Sequence, residues 1–276
     1  LARSRDQLRG ILVGRRIVSI DRPGGRYRDR QPDGLEQFMH EMRQDRGASI
    51  VRGIDVKGKF MYWTLGPDWS LWCTYGMSGQ WEPTRSPHSA LSVTHGTDRV
   101  GILEDCMPSV HFNDQRHFGT LKFVKGREAL AKKLSTLGPD MLNSPPTVLE
   151  FLDRLYHRDG KTVVEALMDQ SVVSGVGNYV KAECIHRSGI SPHRIVNSLT
   201  AAEIVLLHEH TIDVMRSSYE SKGATLRSYK NVDGSAGQAQ FGFRVYDRDR
   251  DAQGHSVERE ITADGRTTHW CRICQT

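Results

Sequence analysis

Apolar residues recur at helical spacing from the first residue of the chain. Leu1, Leu8, Ile11 and Leu12 make one stripe, Gly14 ends it, and "RRIVSI" reads as a following strand. "DGLEQFMHEMRQD" predicts a second helix, with Asp33 as N-cap three residues before Glu36 and a buried face of Leu35, Phe38, Met39 and Met42. From Ile50 to Val124 the period shortens. Runs rich in Val, Ile, Phe, Tyr and Trp are broken by turn formers such as "LGPDWS", "MSGQ" and "PTRSP", the texture of antiparallel strands in a sandwich. "GREALAKKLSTLG" is a helix that closes this half.

"GPDMLNSPPT" holds three prolines and no period, which marks a boundary. The pattern beyond it is helical. "TVLEFLDRLYHR" and "KTVVEALMDQ" are helices, and "SGVGNYVKAECIHRSG" is a glycine-bearing turn feeding a helix that stops at Gly189. Thr200 and Glu203 form a capping box for a long helix through "AAEIVLLHEHTIDVMRSSYES". The end is polar and turn-rich, with two strand-like pieces, "FGFRVYDRD" and "RTTHWCRI". The expected fold is α+β in two domains. Residues 1–137 form an antiparallel β-sandwich flanked by helices, 138–147 a linker, and 148–276 a helical domain ending in a β-hairpin.

Composition changes little. The 276 residues can bury real cores, and a net charge of +5 points mildly toward an anionic partner. No apolar run reaches the length of a membrane span and no signal-peptide pattern opens the chain, so no membrane partner is expected. Five cysteines, Cys73, Cys106, Cys184, Cys271 and Cys274, are odd in number and sit mostly among apolar neighbours. That argues against a disulfide framework and for an intracellular, reducing compartment.

Two stretches carry candidate chemistry. The turn before "NYVKAEC", with Asn178 at the helix start, presents backbone N–H groups suited to a phosphate oxygen, and Gly175 and Gly177 permit close approach. Read alone, an ordinary helix hairpin with glycines for tight packing explains it as well. Cys271 and Cys274 stand at the spacing by which one loop offers two thiolates to zinc, yet a structural site wants four ligands.

Seven further motifs in register decide the first case. "VSGVGNYVKAECIHRSGISP" resembles the helix–two-turn–helix of the formamidopyrimidine-DNA glycosylase / endonuclease VIII family. "KGKF" (Lys57–Phe60), "YGMSGQW" (Tyr75–Trp81), "FNDQRHFGTLKF" (Phe112–Phe123), "LGPDML" (Leu137–Leu142), "GATLRSYKNVDG" (Gly223–Gly234), "RVYDR" (Arg244–Arg248) and "GRTTHWCRICQ" (Gly265–Gln275) follow the family's order. The resemblance implies base excision on double-stranded DNA carrying oxidised bases or abasic sites, by a monomer that turns the damaged nucleotide out of the stack. It implies that Met77, Arg116 and Phe118 fill the hole left behind, Met adapting to the gap, Phe wedging and Arg reaching the orphaned base. It further implies that Lys59 holds a phosphate beside the reacting sugar, that Asn178 and Arg266 bind backbone phosphates, and that Gly223–Gly234 covers the everted base.

The chain departs from the family twice. Where zinc-bearing members place a first cysteine pair after "VYDR", this chain reads "VYDRDRDAQGHSVERE", with His255 as its only strong ligand type. His269 lies too close to Cys271 to help, so the finger is expected to be zincless, to use no cofactor, and to rest on Trp270 and Val257. Cys271 and Cys274 would then be remnants; a Cys/Cys/His site is the alternative. Together with "KGKF" this points to the endonuclease VIII-like side. The family's nucleophile is an N-terminal proline amine followed by glutamate, able to form a Schiff base near neutral pH. The chain opens at Leu1, inside the helix that follows that motif, and the expectation is a truncated start. The competing readings are a catalytically silent protein that binds damaged DNA, and a zinc-dependent nucleic-acid module outside the family.

Overall fold

The computed structural model describes residues 1–96, 108–223 and 237–276. They divide into two units, one within Leu1–Leu134 and one within Ser135–Ala224 and Gln238–Thr276.

In the first unit the opening stripe forms helix α1 (Ala2–Leu12), which buries Ala2, Ser4, Leu8 and Leu12. Gly14, at φ 83°, turns the chain into strand β1 (Arg16–Asp21). Helix α2 (Leu35–Gln44) buries Leu35 and Phe38, with Met39 and Met42 half-buried. The expected Asp33 cap does not form, because Gly34 occupies the N-cap position in the left-handed region. A Cβ there would lie 2.0 Å from the Phe123 carbonyl oxygen, so the contact demands glycine. Asp33 instead accepts the Phe123 N–H at 2.8 Å through its backbone and faces Lys122 at 3.6 Å.

Two four-stranded antiparallel sheets make the sandwich. One runs β2 (Val51–Lys57), β3 (Phe60–Leu65), β4 (Trp69–Thr74) and β8 (Thr120–Lys125). The other runs β1, β6 (Ser89–Gly96), β7 (Ser109–Asn113) and β5 (Gln80–Glu82). Trp63 of the first sheet meets Trp81 of the second at 4.8 Å, and Phe112 joins them 5.4 Å from Trp81. Because β4 neighbours β8 in one sheet while β5 neighbours β7 in the other, the β4–β5 and β7–β8 loops cross between sheets side by side. That topology brings residues near 77 and 117 together. Helix α3 (Arg127–Ser135) follows β8.

His95 on β6 gives this unit a pH dependence. It is buried, its Nε2 has no hydrogen-bond partner among the described residues, and its Nδ1 lies 3.4 Å from Arg15. Burial first, and then the Arg15 charge, push its pKa down from 6.5 to about 4. The unfolded chain therefore takes up the proton first. Stability is complete above pH 6.5 and falls as pH drops toward 4, by a total of about 3 kcal/mol. Urea unfolding at pH 7 and pH 4.5 should show this loss, and His95→Gln should flatten it; an unchanged slope in that variant refutes the assignment.

The second unit packs α4 (Val148–Tyr156), α5 (Val163–Met168), α6 (Asn178–Arg187) and α7 (Ala201–Glu220) around Phe151, Leu155, Val164, Leu167, Ile185 and Leu207. Thr147/Glu150, Thr162/Glu165 and the expected Thr200/Glu203 each complete a capping box. The terminal hairpin pairs β9 (Glu258–Ile261) with β10 (Thr267–Trp270). "FGFRVYDRD" is not its first strand. The N–H groups of Arg244, Val245 and Tyr246 all donate at 2.9 Å to the buried Glu183 carboxylate of α6, which leaves none of the three for a ladder.

Candidate nucleic-acid interface

The two crossing loops are tied rigidly from beneath. Buried Asp114 accepts the Ser78 hydroxyl and the Gly119 N–H, both at 2.6 Å, and the Arg116 N–H donates to Ser78 Oγ at 2.9 Å. Gly76 and Gly119 lie so close to neighbouring atoms that a Cβ would fall 2.7 Å from the Phe118 backbone or the Phe112 ring, respectively. On this base Met77 and Phe118 stay 67% and 59% exposed, and Arg116 reaches to within 3.4 Å of the Met77 sulfur. Core packing, the ordinary role of such side chains, is not theirs. The structure thus brings these three predicted residues together on one surface of the first unit.

Lys59 is exposed at the tip of the β2–β3 hairpin, after Gly58 at φ 56°. Two neighbours missed in the sequence flank it. Lys57 donates to the Leu134 carbonyl of α3 at 2.9 Å, and the Lys133 ammonium sits 5.5 Å from the Phe60 ring. Helix α1 runs antiparallel to β2. Gly14 bonds to Val51, while Arg9 reaches Ile54 and Asp55, so the first turn of α1 lies toward the Lys59 end of the strand.

In the second unit α6 organises everything predicted there. Asn178 is its first residue, and its amide donates to the Thr267 carbonyl of β10 at 2.8 Å, while its Oδ1 is buried without a hydrogen-bond partner among the described residues. One turn on, the wholly buried Lys181 ammonium meets Asp264 at 2.6 Å, and burial lowers its pKa. Asp264 sits in the β9–β10 turn, where its other oxygen accepts the Thr262 hydroxyl at 2.6 Å and the Arg266 N–H at 3.4 Å. Arg266 is exposed beyond it. Lys181 and Glu183 were not among the predicted residues; the available signal was a lysine and a glutamate inside "VKAECI", a stretch whose other four residues are apolar.

Two further potential donors meet the cysteine pair. Asp251 and His255 converge on Cys271 and Cys274, with all four donor atoms within 4.8 Å of one another. Cys274 Sγ lies 3.1 Å from Cys271 Sγ and from Asp251 Oδ2, and 3.2 Å from His255 Nδ1. Bonding to Cys271 and burial push the Cys274 thiol up to about 12. Burial would raise Asp251, but hydrogen bonds from Cys274, His255 and Gln253 hold it well below the carboxylate range. His269 takes no part and packs against Tyr246 at 4.9 Å.

Comparison with known proteins decides the family. The profile of the formamidopyrimidine-DNA glycosylase H2TH domain matches residues 137–230. The formamidopyrimidine-DNA glycosylase of Desulfitobacterium hafniense is 32% identical, over 83% of this chain and 84% of its own length. That of Herpetosiphon aurantiacus is 31% identical, over 98% and 96%. The chain belongs to the formamidopyrimidine-DNA glycosylase family. The crystal structure of the MutM (FPG) protein from Thermus thermophilus superposes on this family member with a TM-score of 0.81 at 27% identity, covering 99% of this chain and 96% of that one. A Lactococcus lactis FPG mutant in complex with DNA containing Fapy-dG shares the fold at a TM-score of 0.82 and 24% identity, over 99% and 97%. In the glycosylase fold α5, the turn at 169–177 and α6 form the helix–two-turn–helix. Residues 224–234 of the segment assigned to cover the base, and Cys106, lie outside the described residues.

Proposed function

We propose that this chain is a base-excision repair enzyme, a DNA glycosylase with AP-lyase activity that removes oxidised bases. The observation that carries the reading is the exposed Met77, Arg116 and Phe118 set on two buttressed loops. Large apolar side chains held rigidly in water suit insertion into a duplex from which one nucleoside has been turned out. Lys59 suits a phosphate beside the reacting sugar, and within the second unit the first turn of α6 with Asn178 and Arg266 suits backbone phosphates.

The chemistry follows from an amine nucleophile. In the family it is a proline amine preceding α1, and the direction of α1 supports its emergence beside Lys59. The amine bonds to C1′ as the glycosidic bond breaks and its electron pair leaves with the base, which takes up a proton. Opening of the sugar ring, with a proton taken up by O4′, leaves a Schiff base whose C2′ proton is acidic. Its loss expels the 3′ phosphate by β-elimination, and loss of the C4′ proton of the conjugated product then expels the 5′ phosphate by δ-elimination. No helix among the described residues is long and apolar enough to cross a membrane.

Borohydride trapping of the full-length protein on lesion duplexes tests this reading. A covalent adduct is expected on formamidopyrimidine DNA, the lesion class in the relatives' names. Preferential trapping on oxidised pyrimidines would support the endonuclease VIII-like assignment instead. Tight lesion binding with no adduct on either would establish the silent binder.

A further inference from the structure

The loop that carries Arg116 and Phe118 contains a strained residue. His117 stands at φ 58°, in the left-handed region that residues other than glycine seldom occupy. Such a conformation persists only where the surrounding structure holds it. The Asp114 and Ser78 bonds supply part of that restraint. The rest comes from a turn far upstream in the chain.

Gly25–Tyr27 form one 3-10 turn after β1. Tyr27 is buried, and its hydroxyl accepts the Leu121 N–H at 2.6 Å and donates to the Leu121 carbonyl at 3.2 Å. That pins the turn to the start of β8. Gly25, at φ 59°, lets the turn lie against His117: a Cβ there would come 3.3 Å from the imidazole Cε1 and 3.1 Å from the Ala90 Cβ. Between these two anchors Arg26 reaches the loop. Its Nη1 carries two hydrogens, and it donates to the His117 carbonyl at 3.4 Å and to the Gly119 carbonyl at 3.1 Å.

These contacts converge on the backbone of Phe118. The peptide group before it has its carbonyl, that of His117, held by Arg26. The peptide group after it has its N–H, that of Gly119, held by Asp114. Peptide groups are planar, so fixing both sets the two backbone torsions of Phe118 and with them the direction of its side chain. We propose that Arg26 is a positioning residue for the wedge, clamping the loop in the conformation that aims Phe118 before DNA is met. This rests on the reading of Met77, Arg116 and Phe118 as the residues that replace an extruded nucleoside. Pre-organisation matters there, because a side chain that must first be ordered loses part of what its insertion supplies.

The test separates aiming from charge. A duplex with a stable abasic analogue beside 2-aminopurine brightens when a wedge unstacks the probe, with no chemistry required. Arg26→Gln should cut that rise and lower kcat/KM on lesion duplex by about 5–10-fold, the scale of a lost charged hydrogen bond. Affinity for undamaged duplex and its salt slope should match the parent protein. In a Phe118→Ala background Arg26→Gln should add no further loss, since it acts through that side chain. Adding His117→Asn to Arg26→Gln should restore at least half of the loss, because asparagine enters the left-handed region more readily. Full additivity with Phe118→Ala, or a shallower salt slope that makes Arg26 a phosphate ligand, would overturn the proposal. A probe that responds to Phe118→Ala but not to Arg26→Gln would also overturn it and leave the wedge standing. A probe indifferent to both would remove the wedge, and the role of Arg26 with it.

Discussion

Lys181→Met destabilises the terminal hairpin by about 3–5 kcal/mol, because it strands the Asp264 carboxylate in a site where both partners are almost fully buried. The loss is one of pairing more than of packing, since Met fills most of the volume left by the lysine stem. Adding Asp264→Asn removes the orphaned charge while keeping acceptors for the Thr262 hydroxyl and Arg266 N–H, and it should recover most of the loss. The hairpin is small, so hydrogen exchange at Thr262 and Gly265, whose N–H groups close its turn, reads the effect more directly than global unfolding. Because Arg266 follows this turn, Lys181→Met should also flatten the salt dependence of DNA binding as Arg266→Ala does. A single-variant cost below about 1 kcal/mol would show that the buried pair does not hold the tip.

Replacing Met77 and Phe118 together by alanine should lower kcat/KM on lesion duplex by about 30–100-fold, equivalent to roughly 2–3 kcal/mol of lost support for the unstacked state. Affinity for undamaged duplex should change little. Thermal stability should not change, since both side chains are exposed and the loops hang on Asp114, Ser78 and the glycines beneath. Asp114→Ala is the contrasting variant: it removes the acceptor shared by both loops and should lower stability and activity together. Activity of the Met77/Phe118 variant within twofold of the parent protein would remove these residues from the mechanism.

Local signals in the chain were read correctly where the physics is local. The α1 stripe, the Thr200/Glu203 box and the strand texture from Ile50 onward depend on neighbours a few positions away. Errors arose where a distant group took over a local one. Asp33 looks like a cap, yet β8 claims its backbone and forces glycine into the cap position. "FGFRVYDRD" alternates like a strand, yet a carboxylate some sixty residues upstream in the chain accepts three of its N–H groups.

The same division runs through the candidate site. The amino-acid order alone determined the motif series, and with it the family, and it singled out Lys59, Met77, Arg116, Phe118, Asn178 and Arg266 as the candidates, because each motif is contiguous. Only the tertiary structure decided that residues 77, 116 and 118 share one exposed surface, that α6 holds the hairpin through a buried charge pair, and that Asp251 and His255 stand where a second cysteine pair was sought. Those facts depend on chain crossings and on side chains meeting across long separations, and no pattern along a strand or helix encodes the distance between two loops.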